Sequence, residues 1–318
     1  MRPVSAIGRD DAFAPFVTDT TVWSDKIVKY FRDQPLALRK MCRSIEEVQF
    51  DGTTDHETAL LEDINSPEYA FEPNNMTTMI EGRPVTVKIP QFFFSASLLR
   101  EKWKALFANR ARLPILLARM VEKIKIEEDI KGFQGDARTG MQGLIGPATT
   151  NLGDYSALNM MEDADGDGIL ENLQEVVDDA LGVFVAEGIG HVPVDIVFTS
   201  WLFNGAKNRV IPYQPGVNNM HLIANKINGG EIMVTNNIME GVTVENNGIL
   251  FVARMPEDSP SWQIISSGIE QNMQPHGLWK EEYGIRERFA VKILDGRIIL
   301  YAKHLDASKP EEIEEPAP

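Results

Sequence analysis

Apolar residues recur every three or four positions in two stretches of the chain, which is the pattern of a helix with one buried face. The first stretch covers residues 111–131 and the second covers residues 169–187. Gly188 and Gly190 follow the second stretch, and glycine is a typical residue after the end of a helix. The pattern therefore predicts two long amphipathic helices.

Other apolar runs predict strands. Residues 192–198 form a largely apolar run of the kind that is buried on both faces of a sheet. Residues 76–80 and 85–89 favour strands, and the polar segment 81–84 between them predicts a hairpin turn. Because a polar hairpin buries little against its own domain, we expect this one to find its partner on another subunit.

Capping and turn residues predict where other elements begin and end. Ser97 precedes an apolar segment and predicts a helix start. Thr199 and Ser200 predict the start of a short helix after the buried strand. In the last third of the chain, residues 246–248 and 295–296 predict hairpin turns between strand-like runs. This third is therefore expected to be mainly β.

Composition places the chain among globular proteins. Its residues are 43% hydrophobic and 25% charged, which is ordinary for a globular protein. The length of 318 residues suggests about two domains. No apolar run approaches the roughly 20 residues that a membrane helix needs, and residues 1–16 lack the apolar part of a secretory signal. The single cysteine, Cys42, excludes an intrachain disulfide and fits a reducing compartment. We interpret Cys42 as a small buried hydrophobic residue.

The formal net charge of −16 narrows the range of partners. A field of this sign repels free nucleic acid, so a DNA-coating protein is not expected. A container that encloses DNA without binding its sequence is compatible with the charge. Acidity that only provides solubility is compatible as well, so the charge does not choose between these two interpretations.

The sequence lacks the common catalytic motifs. It has no Walker loop, no G-x-S-x-G, no H-E-x-x-H and no G-x-G-x-x-G motif, and its five histidines show no ligand spacing. No catalytic residue is predicted, and the protein is not expected to be an enzyme. The acidic residues 127–129 are interpreted as a solvated or ion-paired helix end instead of an acid–base or metal site.

One segment matches a metal-binding pattern. Asp163, Asp165, Asp167 and Glu171 follow the spacing of a calcium loop, with a glycine after the third aspartate. The twelfth position is Gln174, where such loops carry a bidentate glutamate, so affinity is expected to be weak. Two interpretations stay open: a weak Ca²⁺ site, or an acidic turn at the N-terminus of the second helix. No other cofactor is predicted.

The order of these elements points to a known family. An N-terminal arm precedes a long hairpin, and a long helix breaks at Gly132 and Gly135 before Gly143-Leu144. A second helix, a buried strand and closing strands near residues 284–291 follow. This order resembles the Hong Kong 97-type major capsid proteins of tailed bacterial and archaeal viruses, whose fold encapsulins share. The resemblance covers roughly residues 20–305.

By this resemblance we expect an α+β Hong Kong 97-like capsid fold with peripheral and axial domains. The implied layout is an N-terminal arm at 1–20, an N-terminal helical region at 21–63, the E-loop hairpin at 64–94, the peripheral domain with its spine helix at 95–146, the axial domain at 147–240, peripheral return strands at 241–305 and a disordered acidic tail at 306–318. Some members of the family cross-link through an E-loop lysine. Residues 66–87 contain no lysine, so no such cross-link is expected.

The resemblance implies the major capsid protein of a tailed double-stranded DNA virus, which assembles as pentamers and hexamers into an icosahedral shell around the genome. The expected partners are other copies of the chain, together with scaffold, portal or decoration proteins, and no membrane. The expected location is the virion, after assembly in the host cytoplasm. The closest alternative is an encapsulin, whose shell encloses an enzyme. A calcium-dependent binding module, which rests only on residues 163–171, is an alternative of a different class.

Overall fold

The structure is a computed structural model that describes residues 37–42, 45–47, 55–61, 82–89, 91–99, 101, 112–146, 150–153, 155–212, 214, 216–256, 262–276 and 280–308. The helices in this part of the chain are α1 (Ala37–Met41), α2 (Arg112–Gln134), α3 (Glu171–Ala186), α4 (Ser200–Asn208) and α5 (Asn219–Lys226). The strands are β1 (Ile45–Glu47), β2 (Asp55–Leu61), β3 (Gly82–Lys88), β4 (Gln91–Leu99), β5 (Thr150–Asn151), β6 (Val194–Phe198), β7 (Ile232–Val234), β8 (Asn247–Ala253), β9 (Trp262–His276), β10 (Lys280–Ile293) and β11 (Ile299–Leu305).

The described strands form two larger sheets and one ribbon. A five-stranded sheet has the order β5-β11-β8-β6-β7, and a four-stranded sheet has the order β1-β9-β10-β4. β2 and β3 pair antiparallel as a separate two-stranded ribbon. Apolar side chains from both larger sheets and from α1, α2 and α3 pack into one buried core.

The second predicted helix and the buried strand are both present. The buried face of α3 is made of Leu173, Val176, Val177, Ala180 and Phe184, the apolar stripe that the sequence shows. Every residue of β6 is buried, as expected for a central strand with cover on both faces. Both predictions are confirmed, and each rested on a mainly apolar pattern, although buried polar residues, Gln174 in α3 and Asp195 in β6, also lie in these elements.

α4 and α5 connect β6 to the parallel strand β7. Thr199 precedes α4 as predicted, but its hydroxyl donates to Asn247 Oδ1 at 2.8 Å and does not cap the helix. The main-chain N–H of Ser200 instead donates to Asn236 Oδ1 at 2.8 Å. The helix start was predicted correctly, and a residue distant in sequence supplies its cap.

The first predicted helix is α2, and it ends in the expected glycine-rich turn. Gly135 follows it with a φ of 77°, a conformation that glycine adopts without steric cost. The N–H of Leu144 then donates to the carbonyl of Gly132 at 2.9 Å, and the N–H of Ile145 donates to that of Phe133 at 2.7 Å. The chain therefore folds back onto the last turn of α2.

The predicted hairpin over residues 76–89 is wrong in its pairing. Residues 76–80 lie outside the described part, and β3 pairs with β2. Gly82 and Pro84, which were expected in the turn, lie within β3, where Pro84 is opposite Ala59. A ribbon of two strands tolerates proline because each strand has one edge that pairs with no neighbour. The paired part of the expected E-loop thus begins before residue 64.

Two further local signals were misleading. Ser97 lies inside β4 and is paired with Glu282 of β10, so the predicted helix start there is wrong. Asn247 is the buried first residue of β8, and its side chain donates to the carbonyls of Thr243 and Val244 at 2.8 Å. Residues 242–245 form no strand, so the hairpin predicted around residues 246–248 is wrong too.

The turn at residues 295–296 exists, but it does not join a hairpin. β10 ends before it and β11 begins after it, and these strands belong to different sheets. The longest hairpin in the described part is β9–β10, which the sequence did not predict as a hairpin. Its strands are mostly polar in sequence at residues 270–288, so they lack an apolar signal.

The outer parts of the chain depart from the predicted layout in two places. The described residues of the region expected to be helical, 21–63, form one helix and the strands β1 and β2. The start of the expected tail is structured, since Asp306 forms a bridge with Asn159. Residues 1–20 and 309–318 lie outside the described residues, and the boundaries of the axial and peripheral domains stay predictions. No helix among the described residues has both the length and the apolar character to cross a bilayer.

Candidate functional site

The acidic segment 163–171 lies in a loop whose ends are fixed by the core. Met160 and Met161 precede it and are buried, and the N–H of Met160 donates to the carbonyl of Asp306 at 2.8 Å. Leu170 is fully buried immediately before α3 begins. The loop therefore leaves the core at one defined point and returns to it at another.

The structure brings the four predicted ligand residues together. Asp163, Asp165, Asp167 and Glu171 each contribute one carboxylate oxygen to a group whose atoms all lie within 4.8 Å of one another. Asp165 is exposed, and the other three residues are partly buried. Carboxylates this close repel one another unless a positive charge or a proton lies between them.

Main-chain donors inside the loop give it its shape. The N–H of Gly168 donates to Asp163 Oδ2 at 3.1 Å, and the N–H of Ile169 donates to Asp167 Oδ1 at 2.7 Å. The N–H of Asp167 donates to Asp165 Oδ1 at 3.1 Å. Aspartate side chains commonly form such hydrogen bonds in turns. Here they bend the main chain so that it surrounds its own carboxylates.

Gly168 is required at its position for two reasons. Its φ is 85°, which side chains rarely tolerate. A Cβ atom there would also lie 2.8 Å from Pro212 Cδ and 3.0 Å from the carbonyl oxygen of Val210. The glycine that the calcium pattern demands thus lets the loop pack closely against the segment around residue 211.

Two side chains from outside the loop hold it in place. Asn219, which is fully buried, accepts from the N–H of Leu170 and donates to the carbonyl of Gly168, both at 2.9 Å. Arg209 lies 3.4 Å from Asp163 Oδ2. No sequence signal indicated either residue, because both contacts join segments that are between forty and fifty positions apart in the chain.

One polar group in the loop lacks a hydrogen bond. The side chain of Asp163 is only 8% exposed, and its Oδ1 atom has no hydrogen-bond partner among the described residues. A buried carboxylate oxygen without a donor costs free energy. Gln174, the twelfth residue of the pattern, has both amide atoms buried and likewise without a partner in this part of the chain. Asp163 in the loop and Gln174 in the first turn of α3 therefore each have buried polar atoms without a hydrogen-bond partner among the described residues.

A second group of acidic residues is a buried ion-pair network. Glu127 is exposed, as the sequence interpretation of residues 127–129 allows, whereas Glu128 is completely buried. Arg39 of α1 donates through Nε to Glu128 Oε1 at 2.6 Å and through a terminal nitrogen to Glu287 Oε1 at 2.7 Å. Ser266 also donates to Glu287 Oε1 at 2.6 Å. No sequence pattern indicated Arg39 or Glu287.

Burial governs the titration of this network. The pKa of Glu128 is raised to about 8, mainly by burial and secondly by the nearby carboxylate of Glu287, while Arg39 opposes the rise. Burial also raises the pKa of Glu287, against the opposing effects of Arg39 and Ser266. The Arg39 guanidinium thus faces two desolvated carboxylates, and Lys125 adds a positive charge that acts on Glu287. Burial of both carboxylates beside each other still favours a proton on Glu128 near neutral pH.

Asp129 links α2 to α1 and to the segment that follows β7. It accepts from the main-chain N–H of Leu38 at 3.1 Å, from Thr235 Oγ1 at 3.2 Å and from Asn237 Nδ2 at 2.7 Å. Burial raises the pKa of Asp129, and these three hydrogen bonds lower it. Because the partners of Glu128 and Asp129 lie in other elements of the fold, we interpret both residues as ones that fix α2 in place. Glu128 is ion-paired, as one of the two interpretations made from the sequence expects, and Asp129 is held by hydrogen bonds.

Comparisons with known proteins give likenesses of structure only. No protein-family model matches the chain, and no curated protein matches its sequence. The capsid of the Myoviridae phage XM1 matches with a TM-score of 0.56 at 12% identity, over 82% of this chain and 90% of that one. The capsid of a native GTA particle matches with a TM-score of 0.57 at 12% identity, over 86% of this chain and 91% of that one.

An encapsulin matches to the same degree. The holo-SrpI encapsulin complex from Synechococcus elongatus has a TM-score of 0.56 at 10% identity, over 89% of this chain and 91% of that one. Each of these matches extends over most of both chains, so the likeness is one of the whole architecture and not of a shared small motif. At this level of identity it is a likeness of fold.

Proposed function

From the Hong Kong 97-type fold that this chain has, we propose that the protein is the major capsid protein of a tailed double-stranded DNA virus. Its copies assemble as pentamers and hexamers into an icosahedral shell that encloses the genome, in the virion and after assembly in the host cytoplasm. The observation that supports this most is the match, over more than four fifths of the chain, to the capsids of a phage and of a GTA particle.

The β2–β3 ribbon supports the same proposal on physical grounds. No other described strand pairs with either edge of the ribbon. An isolated pair of strands is only marginally stable in water, and its free edges are sites for pairing with another chain. In a shell, a neighbouring copy supplies the missing contacts.

Charge supports an enclosing role over a DNA-binding one. The formal net charge of −16 gives no basis for neutralising phosphates, which is how proteins hold nucleic acid without reading its sequence. A wall of this sign lets packaged DNA move freely during filling. The protein's role in this proposal is structural, and scaffold, portal or decoration proteins are its proposed partners.

Electron microscopy of the purified chain tests the proposal. We expect closed particles of uniform diameter, and the number of copies follows from the diameter. Multi-angle light scattering on the same sample gives the mass independently. A protein that stays monomeric over a wide range of concentration and ionic strength would contradict the proposal.

An encapsulin is the second candidate, because the match to an encapsulin covers as much of the chain as the matches to capsids do. The two candidates differ in what the shell contains. Neighbouring genes for a portal and a terminase favour the capsid, and a neighbouring gene for an enzyme favours the encapsulin. If the shell is expressed together with that enzyme and retains it through purification, the encapsulin function is the correct one.

A further inference from the structure

We propose that Asp163, Asp165, Asp167 and Glu171 bind one Ca²⁺ ion. Their carboxylate oxygens converge within 4.8 Å of one another in a single loop. The ion would bind on the loop that enters α3, so it would act on the stability of this part of the subunit. The site belongs to the chain itself and does not depend on whether the chain forms a shell.

Asp163 provides evidence beyond acidic clustering. Its side chain is more than nine-tenths buried, and its Oδ1 atom has no hydrogen-bond partner among the described residues. Its other oxygen already accepts from Gly168 and lies near Arg209. Asp163 is thus one of the four residues whose carboxylates converge, and it keeps one buried oxygen without a hydrogen-bond partner among the described residues. A bound cation is a partner that would satisfy such an oxygen.

The type of ligand favours calcium among the biological cations. All four side chains offer carboxylate oxygens, which are hard ligands, and the group includes neither histidine nor cysteine. Mg²⁺ keeps most of its water and uses one or two carboxylates, whereas Ca²⁺ takes six to eight oxygens and accepts flexible geometry. In a loop of this pattern the seventh residue, here Ile169, also supplies its main-chain carbonyl.

The twelfth position sets the expected affinity. Gln174 offers at most one neutral amide oxygen where tight loops have a bidentate glutamate. We therefore expect a dissociation constant on the order of 0.1 mM or weaker, in the range of extracellular calcium modules. The ion would fill only when calcium is abundant, and it would then stabilise the folded loop by mass action.

Isothermal titration calorimetry tests the proposal on the full chain after removal of calcium with EGTA. We expect one Ca²⁺ per chain, a higher melting temperature in calcium than in EGTA, and a weaker response to Mg²⁺. Asp165→Asn should weaken binding at least tenfold, because it removes one ligand charge while its amide oxygen still accepts from the N–H of Asp167.

Glu175→Gln is the matched control. Glu175 is exposed on the same helix, one position beyond the pattern, so its variant should bind like the wild type. The proposal is overturned if the wild type shows neither heat nor a melting shift at 10 mM calcium, which is roughly ten to a hundred times a dissociation constant in this range. It is also overturned if Asp165→Asn binds calcium as the wild type does, or if Mg²⁺ binds more tightly than Ca²⁺.

Electron microscopy of the same samples tests shell formation separately. Shells without calcium binding contradict only the site, and calcium binding without shells contradicts only the proposed function.

Discussion

Arg39 and Glu128 are 89 residues apart in the sequence, and Arg39 Nε lies 2.6 Å from Glu128 Oε1 in the structure. The same guanidinium bonds Glu287 at 2.7 Å, so one side chain of α1 joins α2 to β10. The charges around Glu128 are those of Arg39, Glu287 and its neighbour Asp129. Two buried carboxylates share one arginine, and the free energy of unfolding therefore depends on pH.

The first prediction is that stability falls as the pH rises from about 4.5 to about 8. Burial raises the pKa of Glu128 from 4.5 to about 8, so in this interval the folded state binds a proton that the unfolded state has lost. The stabilisation is complete below the lower value and is lost as the pH passes the upper one. We expect a loss on the order of a few kcal/mol, measured by urea unfolding across the interval.

The control for this prediction is a neighbouring carboxylate. Glu128→Gln should make the unfolding free energy less dependent on pH over this interval, because the amide cannot ionise and its oxygen still accepts from Arg39. Glu127→Gln changes an exposed residue of the same helix and should keep the wild-type slope. Equal slopes for wild type and Glu128→Gln would show that Glu128 is not the titrating group.

The second prediction concerns the turn after α2. A Cβ atom on Gly143 would lie 2.2 Å from the main-chain nitrogen of Gly135 and 2.5 Å from the carbonyl oxygen of Phe133. Main-chain atoms cannot rotate away as side chains do, so Gly143→Ala should destabilise the fold by about 3 kcal/mol or more. Thermal unfolding followed by circular dichroism measures the change.

Gly182→Ala is the comparison that isolates this steric effect. Gly182 is exposed in α3, and a Cβ atom there would meet only open space, so alanine should stabilise the helix by up to about 1 kcal/mol. A destabilisation of similar size in both variants would mean that the loss at Gly143 has a cause other than close packing of the two main-chain segments.

How much of this fold the sequence predicts depends on the range of each signal. α3 and β6 follow from apolar patterns that need no information from elsewhere in the chain, and the structure has both. The turn residues around Gly82 and the serine at Ser97 are local signals too, yet pairing with β2 and β10 overrides them. Long-range strand pairing wins because each ladder adds many hydrogen bonds, whereas a turn or cap signal adds one or two.

The candidate site also has a part that the sequence predicts and a part that it does not. Asp163, Asp165, Asp167 and Glu171 are within nine residues of one another, so their spacing alone predicts that they converge. Asn219, which clamps the loop, contacts it from another helix. Contacts of this kind have no local pattern, and a single sequence therefore cannot indicate them.

The third prediction tests the closing position of the calcium loop. Gln174→Glu supplies the missing carboxylate and should tighten Ca²⁺ binding about tenfold or more. Without calcium the same variant should melt at a lower temperature, because it places a charge at a buried position. Differential scanning calorimetry of this variant in EGTA gives the loss of melting temperature, and the same measurement over a range of calcium concentrations gives the gain from binding.

Gln174→Met provides the opposite case at this position. Methionine has a similar volume and needs no hydrogen-bond partner, so in EGTA it should be as stable as the wild type or more so. Its calcium-dependent rise in melting temperature should be no larger than that of the wild type. If Gln174→Glu is destabilised equally in EGTA and in calcium, the twelfth side chain does not take part in binding.

The fourth prediction is that assembly depends on the segment between β2 and β3. Leu61 and Gly82 are the last paired residues of the ribbon, so an Asn-Gly turn can join them in place of residues 62–81. We expect this variant to fold, with cooperative thermal unfolding, and to remain unassembled in electron micrographs, because the shortened hairpin cannot reach a neighbouring copy. A second variant, in which a glycine–serine segment of the same length replaces residues 62–81, keeps the length of the connection but removes its side chains. It should assemble if only the length matters, and it should not assemble if the side chains contact a neighbouring copy.

Wild-type shells from the Asn-Gly variant would rule out this hairpin as an intersubunit contact.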